Sequence, residues 1–511
     1  MTELVDSYLA PLPLGELARR LDAAGLLREA RLGLDTAEAF TPRHLSYDSR
    51  DVTPGSLFFC KGAHFEPRFL AQAVKRGAAA YVAESLLLPD QPDLPALVVS
   101  DVPLAMAMAA AWYYEELLKQ IDIIGVTGTK GKSTTVYFLK SILDAWMASL
   151  GRPASAILSS IDNYDGVVFE ESHLTTKESL DLYRHFANAV SSGISHLSME
   201  VSSQALKYHR VAGLPFTVGC FLNFGSDHVS SIEHLDLEDY LSSKLRIFAQ
   251  SQTACVNLGS AQAERVLAAA ADAGRLVGFG WDELADVCAL EHSDSPTNSF
   301  TARIFGASAR FELGLAGDFN VENALAAIAA AAVLGVPLEA MQSGLLEARV
   351  PGRMEPFQAP DDKLVLVDYA HNQMSFEALF KAIRRAYPHS YVSIVFGCPG
   401  YKALQRRDDL GTISGREADD VVLTEEDAGE EPVEQICADI AAYVRAAGGR
   451  PRIILDRQAA IESAIDEAPA GAVILVTGKG RETRQKRGQE YVEVVSDVEI
   501  VEEYIRARAG Q

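Results

Sequence analysis

The sequence predicts an α/β protein made of three sheet-containing domains. Three observations predict it: a length of 511 residues, short apolar runs alternating with helical stretches along the chain, and a glycine-rich turn between one such run and a helix near residue 130. At about 150 residues per domain the length suggests roughly three, each large enough to enclose a core. Alternating strands and helices imply βα units and a mostly parallel sheet.

The first domain is expected over residues 1–119. Its apolar runs at 56–60, 79–83 and 96–100 read as strands, with a helix at 69–76. The stretches 102–114 and 324–336 are apolar but fall short of the roughly 20 residues a membrane span needs, so they read as buried helices. The second domain, 120–348, opens with a strand at 121–126, passes through the glycine turn and enters a helix at 133–150. Further buried strands are expected at 194–199 and 218–222. The third domain, 349–511, begins where Val350-Pro351-Gly352 interrupts a helical stretch. Strands at 364–367, 391–396, 420–423, 452–455 and 472–476 alternate there with helices, again implying a parallel sheet of Rossmann-like type.

Charge narrows the partners. There are 46 Lys+Arg against 70 Asp+Glu, a net charge of −24, so whole-surface attraction to nucleic acid or an anionic membrane is excluded. An anionic ligand must be held locally. With 48% hydrophobic and 23% charged residues the composition is that of a globular protein rather than a disordered one. Cys60, Cys220, Cys255, Cys288, Cys398 and Cys437 are too far apart for a zinc knuckle or a redox dithiol. The N-terminus shows no secretory pattern, which makes the cytoplasm the expected compartment.

The strongest chemical signal is Gly125-Val126-Thr127-Gly128-Thr129-Lys130-Gly131-Lys132-Ser133-Thr134. Glycines let successive backbone N–H groups converge on phosphate oxygens, and the following helix adds its N-terminal partial charge. In this pattern Lys132 is expected to reach the terminal phosphates of a bound nucleotide and the Ser133 hydroxyl to ligate Mg²⁺. Val126 stands where the strict pattern has a glycine.

This loop resembles that of the Mur ligases, ATP-dependent amide-forming enzymes of peptidoglycan synthesis, and of the related folylpolyglutamate synthetases. Met199-Glu200-Val201-Ser202-Ser203 resembles a segment of the Mur ligase branch that adds the third peptide residue, MurE, and Asn223-Phe224-Gly225-Ser226-Asp227-His228 resembles the family's Asn-x-x-x-Asp-His. The resemblance implies a three-domain Mur ligase architecture with a central ATPase domain. It also implies that Glu200 and His228 join Ser133 as Mg²⁺ ligands and that Lys244 becomes carbamylated to N6-carboxylysine. An ammonium repels Mg²⁺, whereas a carbamate can support it.

The resemblance extends through most of the chain. It implies ATP contacts at Gly128, Thr129, Lys130, Gly131, Lys132, Ser133 and Thr134, and at Asn320 and Asn323 beside adenine, Arg353 on phosphate and Asp368 on the ribose. For the UDP-N-acetylmuramoyl dipeptide it implies Ser49 and Arg50, in Tyr47-Asp48-Ser49-Arg50, on the uridine side. Thr175, Thr176, Ser202 and Arg210 then serve the muramoyl side. Lys177 replaces a proline common in the family.

The amino-acid site is implied at Glu426, Asp427, Gly478 and Glu482. Segment 424–432 carries the five carboxylates Glu425, Glu426, Asp427, Glu430 and Glu431 and no cation. Such a segment favours a side-chain ammonium and repels a second carboxylate, which predicts L-lysine. L-ornithine stays open, since one methylene discriminates by only about 1–3 kcal/mol, as does meso-diaminopimelate. A folylpolyglutamate synthetase-like ligase is disfavoured by the added uridine-like module. A non-catalytic nucleotide-binding scaffold is disfavoured by the retention of Lys132, Ser133, Glu200, His228 and Lys244 together. A monomer is the expected state.

Overall fold

The computed structural model describes residues 2–32, 39–62, 65–88, 91, 93–225, 234–293, 298–315, 317–401 and 404–509. The chain divides into two compact units: 1–288 with 304–307 and 325–344, and 289–303 with 308–324 and 345–511.

The first unit holds two sheets. The N-terminal one has five strands, in the order Leu27–Arg31, Ala96–Val99, Ala78–Ala83, Ser56–Phe59 and His44–Ser46. The first pairing is antiparallel and the other three are parallel. Helix Val102–Tyr113 lies against this region with Ala105, Ala109 and Ala110 fully buried. Its small apolar faces explain why the stretch reads as buried from every side.

The second sheet of this unit is centred on Asp122–Thr127. That strand pairs in parallel with His196–Glu200 on one side and Phe216–Phe221 on the other. Parallel pairing continues outward to Ala156–Leu158, Ser251–Asn257 and Arg275–Gly280. A strand buried on both faces has no polar alternation to keep, which is why Ile123, Ile124 and Val126 follow one another closely. The antiparallel additions Asp162–Tyr164 and Phe169–Glu171 were not expected from the sequence.

The second unit carries a six-stranded sheet, in the order Glu355–Ala359, Lys363–Asp368, Val473–Thr477, Val392–Phe396, Asp420–Leu423 and Pro451–Ile453. Only the first pairing is antiparallel. Helices Arg457–Glu467 and Asp497–Ala509 bury Ile461, Ile465, Val498 and Val501 against it. Observed strands agree with the expected ones to within about two residues, for instance Pro451–Ile453 where 452–455 was read. The helix expected at 324–336 starts earlier, at Asp318, an acidic residue suited to a helix first turn. The hairpin strands Arg484–Arg487 and Glu490–Glu493 were not foreseen.

Candidate active site

In the first unit the phosphate loop leaves the carboxyl end of Asp122–Thr127, the end at which open α/β sheets bind ligands. Gly131 is the N-cap of helix Lys132–Ser149 and takes φ +87°, a left-handed conformation that a side chain would strain. The loop is braced by Asn223 from the neighbouring strand end. The Lys130 amide donates to Asn223 Oδ1 at 2.8 Å, the Asn223 side-chain amide donates back to Lys130 O at 3.1 Å, and the Thr129 amide donates to Asn223 O at 3.0 Å. Lys132 Nζ donates to the carbonyl of Gly128 at 3.1 Å. Thr134 is buried in the first turn of the helix.

Lys244 lies on helix Leu237–Leu245 and is 1% exposed. Its amine also donates to Gly128 O, at 2.8 Å, and sits 4.5 Å from the centre of the Tyr240 ring. The Tyr240 hydroxyl reaches Thr129 Oγ1 at 3.3 Å. Lys132 and Lys244 therefore converge on one carbonyl of the loop.

Glu200, at the end of strand His196–Glu200, is buried and accepts from the Ser160 amide at 2.8 Å and the Ser160 hydroxyl at 2.9 Å, both through Oε1. Ser160 Oγ is in turn 3.1 Å from Ser133 Oγ. Sequence reasoning missed Ser160; its only signal is its place just beyond the strand Ala156–Leu158. Mg²⁺ takes hard oxygen donors, often one or two carboxylates completed by phosphate and water. The Ser133, Ser160 and Glu200 oxygens are of that class and fit it. Among the described residues no group of three or more His, Cys, Asp or Glu is placed for a metal. His228 lies outside the described residues.

Thr176 joins this cluster to a second one. Its hydroxyl donates to the Glu200 carbonyl at 2.9 Å and accepts from the Ser202 amide at 3.0 Å. Arg210 donates to Thr176 O at 3.3 Å and pairs with Glu178 at 3.1 Å. Thr175 is partly exposed beside it. The family's missing proline has a replacement contact, since Lys177 pairs with Glu170 of the unforeseen hairpin at 3.1 Å. Ser49 donates to Gln72 and Arg50 pairs with Asp48 at 2.6 Å. Neither bonds directly to Thr175, Thr176, Ser202 or Arg210 among the described residues.

In the second unit Asn320 and Asn323 are buried in the first turns of helix Asp318–Val333, and the Asn323 amide donates to Asn320 Oδ1 at 3.3 Å. Asp368 ends strand Lys363–Asp368 and accepts from the amides of Met354 and Ala370, each at 2.8 Å. Burial pushes its carboxyl above the usual range even though the Arg353 guanidinium opposes this. Arg353 lies 4.6 Å from the centre of the Tyr369 ring, and the Tyr369 hydroxyl donates to Glu482 at 2.5 Å. Lys479 bridges Glu482 at 2.7 Å and Asp427 at 3.1 Å. Arg353, Asp368, Glu426, Asp427, Gly478 and Glu482 thus cluster at the carboxyl ends of the sheet, with Tyr369 and Lys479 as links not foreseen from sequence.

The acidic segment is not an open negative surface. Glu425 pairs with Arg487 at 2.6 Å, Glu431 with Arg407 at 2.7 Å and Asp427 with Lys479, while Glu430 accepts from Gln489 at 2.9 Å. Glu426 alone of the five has no hydrogen-bond or ion-pair partner among the described residues, although it is 8% exposed. Burial pushes its carboxyl up to about 7, against the opposing charges of Arg457 and Lys479.

The pattern of the Mur ligase middle domain matches residues 126–331, and that of the Mur ligase glutamate ligase domain matches 352–480. The chain is 39% identical to a UDP-N-acetylmuramyl-tripeptide synthetase of Lactobacillus delbrueckii subsp. bulgaricus, across 86% of this chain and 89% of that one. It is 37% identical to a UDP-N-acetylmuramoyl-L-alanyl-D-glutamate–L-lysine ligase of Streptococcus thermophilus, across 90% and 92%. Among solved structures, a UDP-N-acetylmuramoyl-L-alanyl-D-glutamate–2,6-diaminopimelate ligase superposes with a TM-score of 0.65 at 27% identity, covering 91% of this chain and 95% of that one. Sequence likeness along nearly the whole length, joined to a phosphate loop and an oxygen cluster at the expected strand ends, makes this chain a member of the Mur ligase family.

Proposed function

We propose that the chain is the ATP-dependent ligase that adds L-lysine to UDP-N-acetylmuramoyl-L-alanyl-D-glutamate in the cytoplasm. The observation that carries this reading is the Thr176 junction. The Glu200 carbonyl accepts its hydroxyl and Ser202 donates to it, so the metal-side carboxylate and the dipeptide-side groups share one turn.

In this reading the domains are 1–119 for the nucleotide sugar, 120–348 for ATP and 349–511 for the amino acid. ATP phosphorylates the free glutamyl carboxylate, and the lysine α-amine then displaces phosphate from the acyl phosphate. Lys132, with Lys130 and Thr129 in the same loop, swings from the Gly128 carbonyl to the transferring phosphoryl group, where fixed positive charge lowers the barrier. Ser133, Glu200, His228 and a carbamylated Lys244 would hold Mg²⁺, which would supply neutralisation of charge on that group. Asn320 and Asn323 face adenine, Asp368 the ribose and Arg353 the phosphates. Thr175, Thr176, Ser202 and Arg210 hold the muramoyl dipeptide, with Ser49 and Arg50 on uridine. Glu482 orients the α-ammonium, while Glu426, beside Asp427 and Gly478, receives the side-chain ammonium as its missing counter-ion.

The test is incubation with the UDP-linked dipeptide, Mg²⁺-ATP and each of L-lysine, L-ornithine and meso-diaminopimelate, following phosphate release and product mass. Lysine is the expected preferred substrate. No turnover with any of the three sinks the reading, and preference for diaminopimelate refutes the role given to Glu426.

A further inference from the structure

Lys61 plays no part in the reading above, yet it occupies a distinctive place in the first unit. It follows strand Ser56–Phe59 of the N-terminal sheet, and its amine forms an ion pair with Glu178 in which both side chains are mostly buried. The other oxygen of Glu178 accepts from Arg210 Nε at 3.1 Å. Beneath Lys61 lies the ring of Tyr47, 5.2 Å from the amine to the ring centre, and the Tyr47 hydroxyl donates to Asp181 at 2.6 Å.

Two cations therefore share one carboxylate in a chain of net charge −24, while the neighbouring Asp181 is paired separately with Arg184 at 3.3 Å. A buried ion pair is weak support for stability, because desolvation offsets much of the attraction. The arrangement makes better sense as a prepared anion site. Glu178 is also the N-cap residue of helix Ser179–Ser191, and its side chain makes no capping bond, so it turns to the two cations instead. The Ser179 hydroxyl, in the first turn of that helix, is buried at 1% exposure with no hydrogen-bond partner among the described residues.

Position decides which anion. On one side Lys61 rests on Tyr47, the first residue of the proposed uridine segment. On the other it is joined through Glu178 to Arg210 and so to Thr176, in the proposed muramoyl segment. In a UDP-sugar the group between uridine and sugar is the diphosphate. We propose that Lys61 receives the diphosphate of the nucleotide-sugar substrate and that Glu178, shared with Arg210, is the carboxylate that positions it. This inference rests on the ligase reading. It adds a residue that the family motifs did not single out, and it answers how so acidic a protein holds this dianion.

The test compares wild type with Lys61→Met and Lys61→Arg. In Lys61→Met the KM for the UDP-linked dipeptide rises roughly tenfold to a hundredfold, as expected for loss of a charge-assisted contact, while the KM values for ATP and lysine stay within about twofold. Competitive inhibition separates binding from folding: UDP loses affinity in Lys61→Met but uridine does not, and Lys61→Arg restores most of the preference for UDP. Equal weakening of UDP and uridine, or an unchanged UDP-to-uridine ratio in Lys61→Met, overturns the assignment. A wild-type protein that forms no tripeptide overturns the ligase reading instead, so the two failures are told apart.

Discussion

Glu426 Oε2 lies against Gly478 so closely that a Cβ on the glycine would stand 2.6 Å from it. Gly478 also takes φ +109°, where an L side chain is strained. Gly478→Ala therefore combines a backbone cost of about 1–3 kcal/mol with displacement of the carboxylate proposed to receive lysine. Its expected effect is a KM for lysine raised by at least about tenfold, with the KM for ATP little changed, read from phosphate release against lysine concentration. An unaltered lysine KM would remove Glu426 from the amino-acid site.

The same carboxyl predicts a pH dependence. Burial holds Glu426 near 7, so it is mostly protonated at pH 6 and mostly ionised at pH 8. An ammonium binds the ionised form, and the lysine KM should fall by about tenfold between those pH values. Glu426→Gln should flatten that change while raising KM throughout. A raised carboxyl pKa also means that its contribution to folding stability is complete below the ordinary carboxylate range and is lost as pH rises through about 7. Thermal melts of wild type against Glu426→Gln over that window check the sign independently of catalysis.

Ser160 gives a third prediction. It supplies two hydrogen bonds to one oxygen of Glu200 and touches Ser133. Ser160→Ala keeps the backbone donor but removes the hydroxyl, at a cost of about 1–3 kcal/mol. The Mg²⁺ concentration for half-maximal activity should rise several-fold. If only the melting temperature moves and the Mg²⁺ dependence does not, Ser160 is structural.

For Lys244 the expected outcome is an inactive Lys244→Ala that acetate or formate partly restores by entering the space of the carbamate. Failure of every short carboxylic acid to rescue it counts against carbamylation. Wild-type activity should also respond to added bicarbonate after incubation in carbonate-free buffer.

His44 tests a feature of the N-terminal sheet. It is buried between Asp6 at 2.8 Å and the backbone carbonyl of Asp51 at 2.8 Å. Burial alone would lower its pKa, but the Asp51 and Asp6 carboxylates outweigh that and raise it to about 9. The protonated ring therefore contributes stability that is complete below the ordinary histidine range and is lost as pH rises through about 9. Melting temperature should drop by a few degrees between pH 7 and pH 9.5 in wild type, for a loss of roughly 1–3 kcal/mol, and less in His44→Gln. Equal slopes would refute the cluster's role.

The buried parallel strands were legible because continuous apolar runs have few alternatives, and the phosphate loop because glycines and lysine at that spacing answer one physical need. The strands Asp162–Tyr164 and Phe169–Glu171 are only three residues each, and the second is exposed, so no periodicity could announce them. Ser160 and Tyr369 were invisible for a different reason. A serine or tyrosine becomes significant only through its neighbours, and Ser133 and Glu482 come from distant parts of the chain. The acidic segment was legible as charge but not as field, since Arg407, Lys479 and Arg487 reach it from a helix, a loop and a strand elsewhere in the chain.

Those ion pairs alter what it takes to change the enzyme's diet. Four of the five acidic side chains in 424–432 are tied to neighbouring elements, so removing them would loosen this region before altering its preference. Among the described residues Glu426 is the one carboxyl of the five left unpaired to be traded. Conversion to an amino acid with a second carboxylate begins, on this arrangement, with replacing a single side chain and supplying one cation, a short mutational path between cell walls of different chemistry.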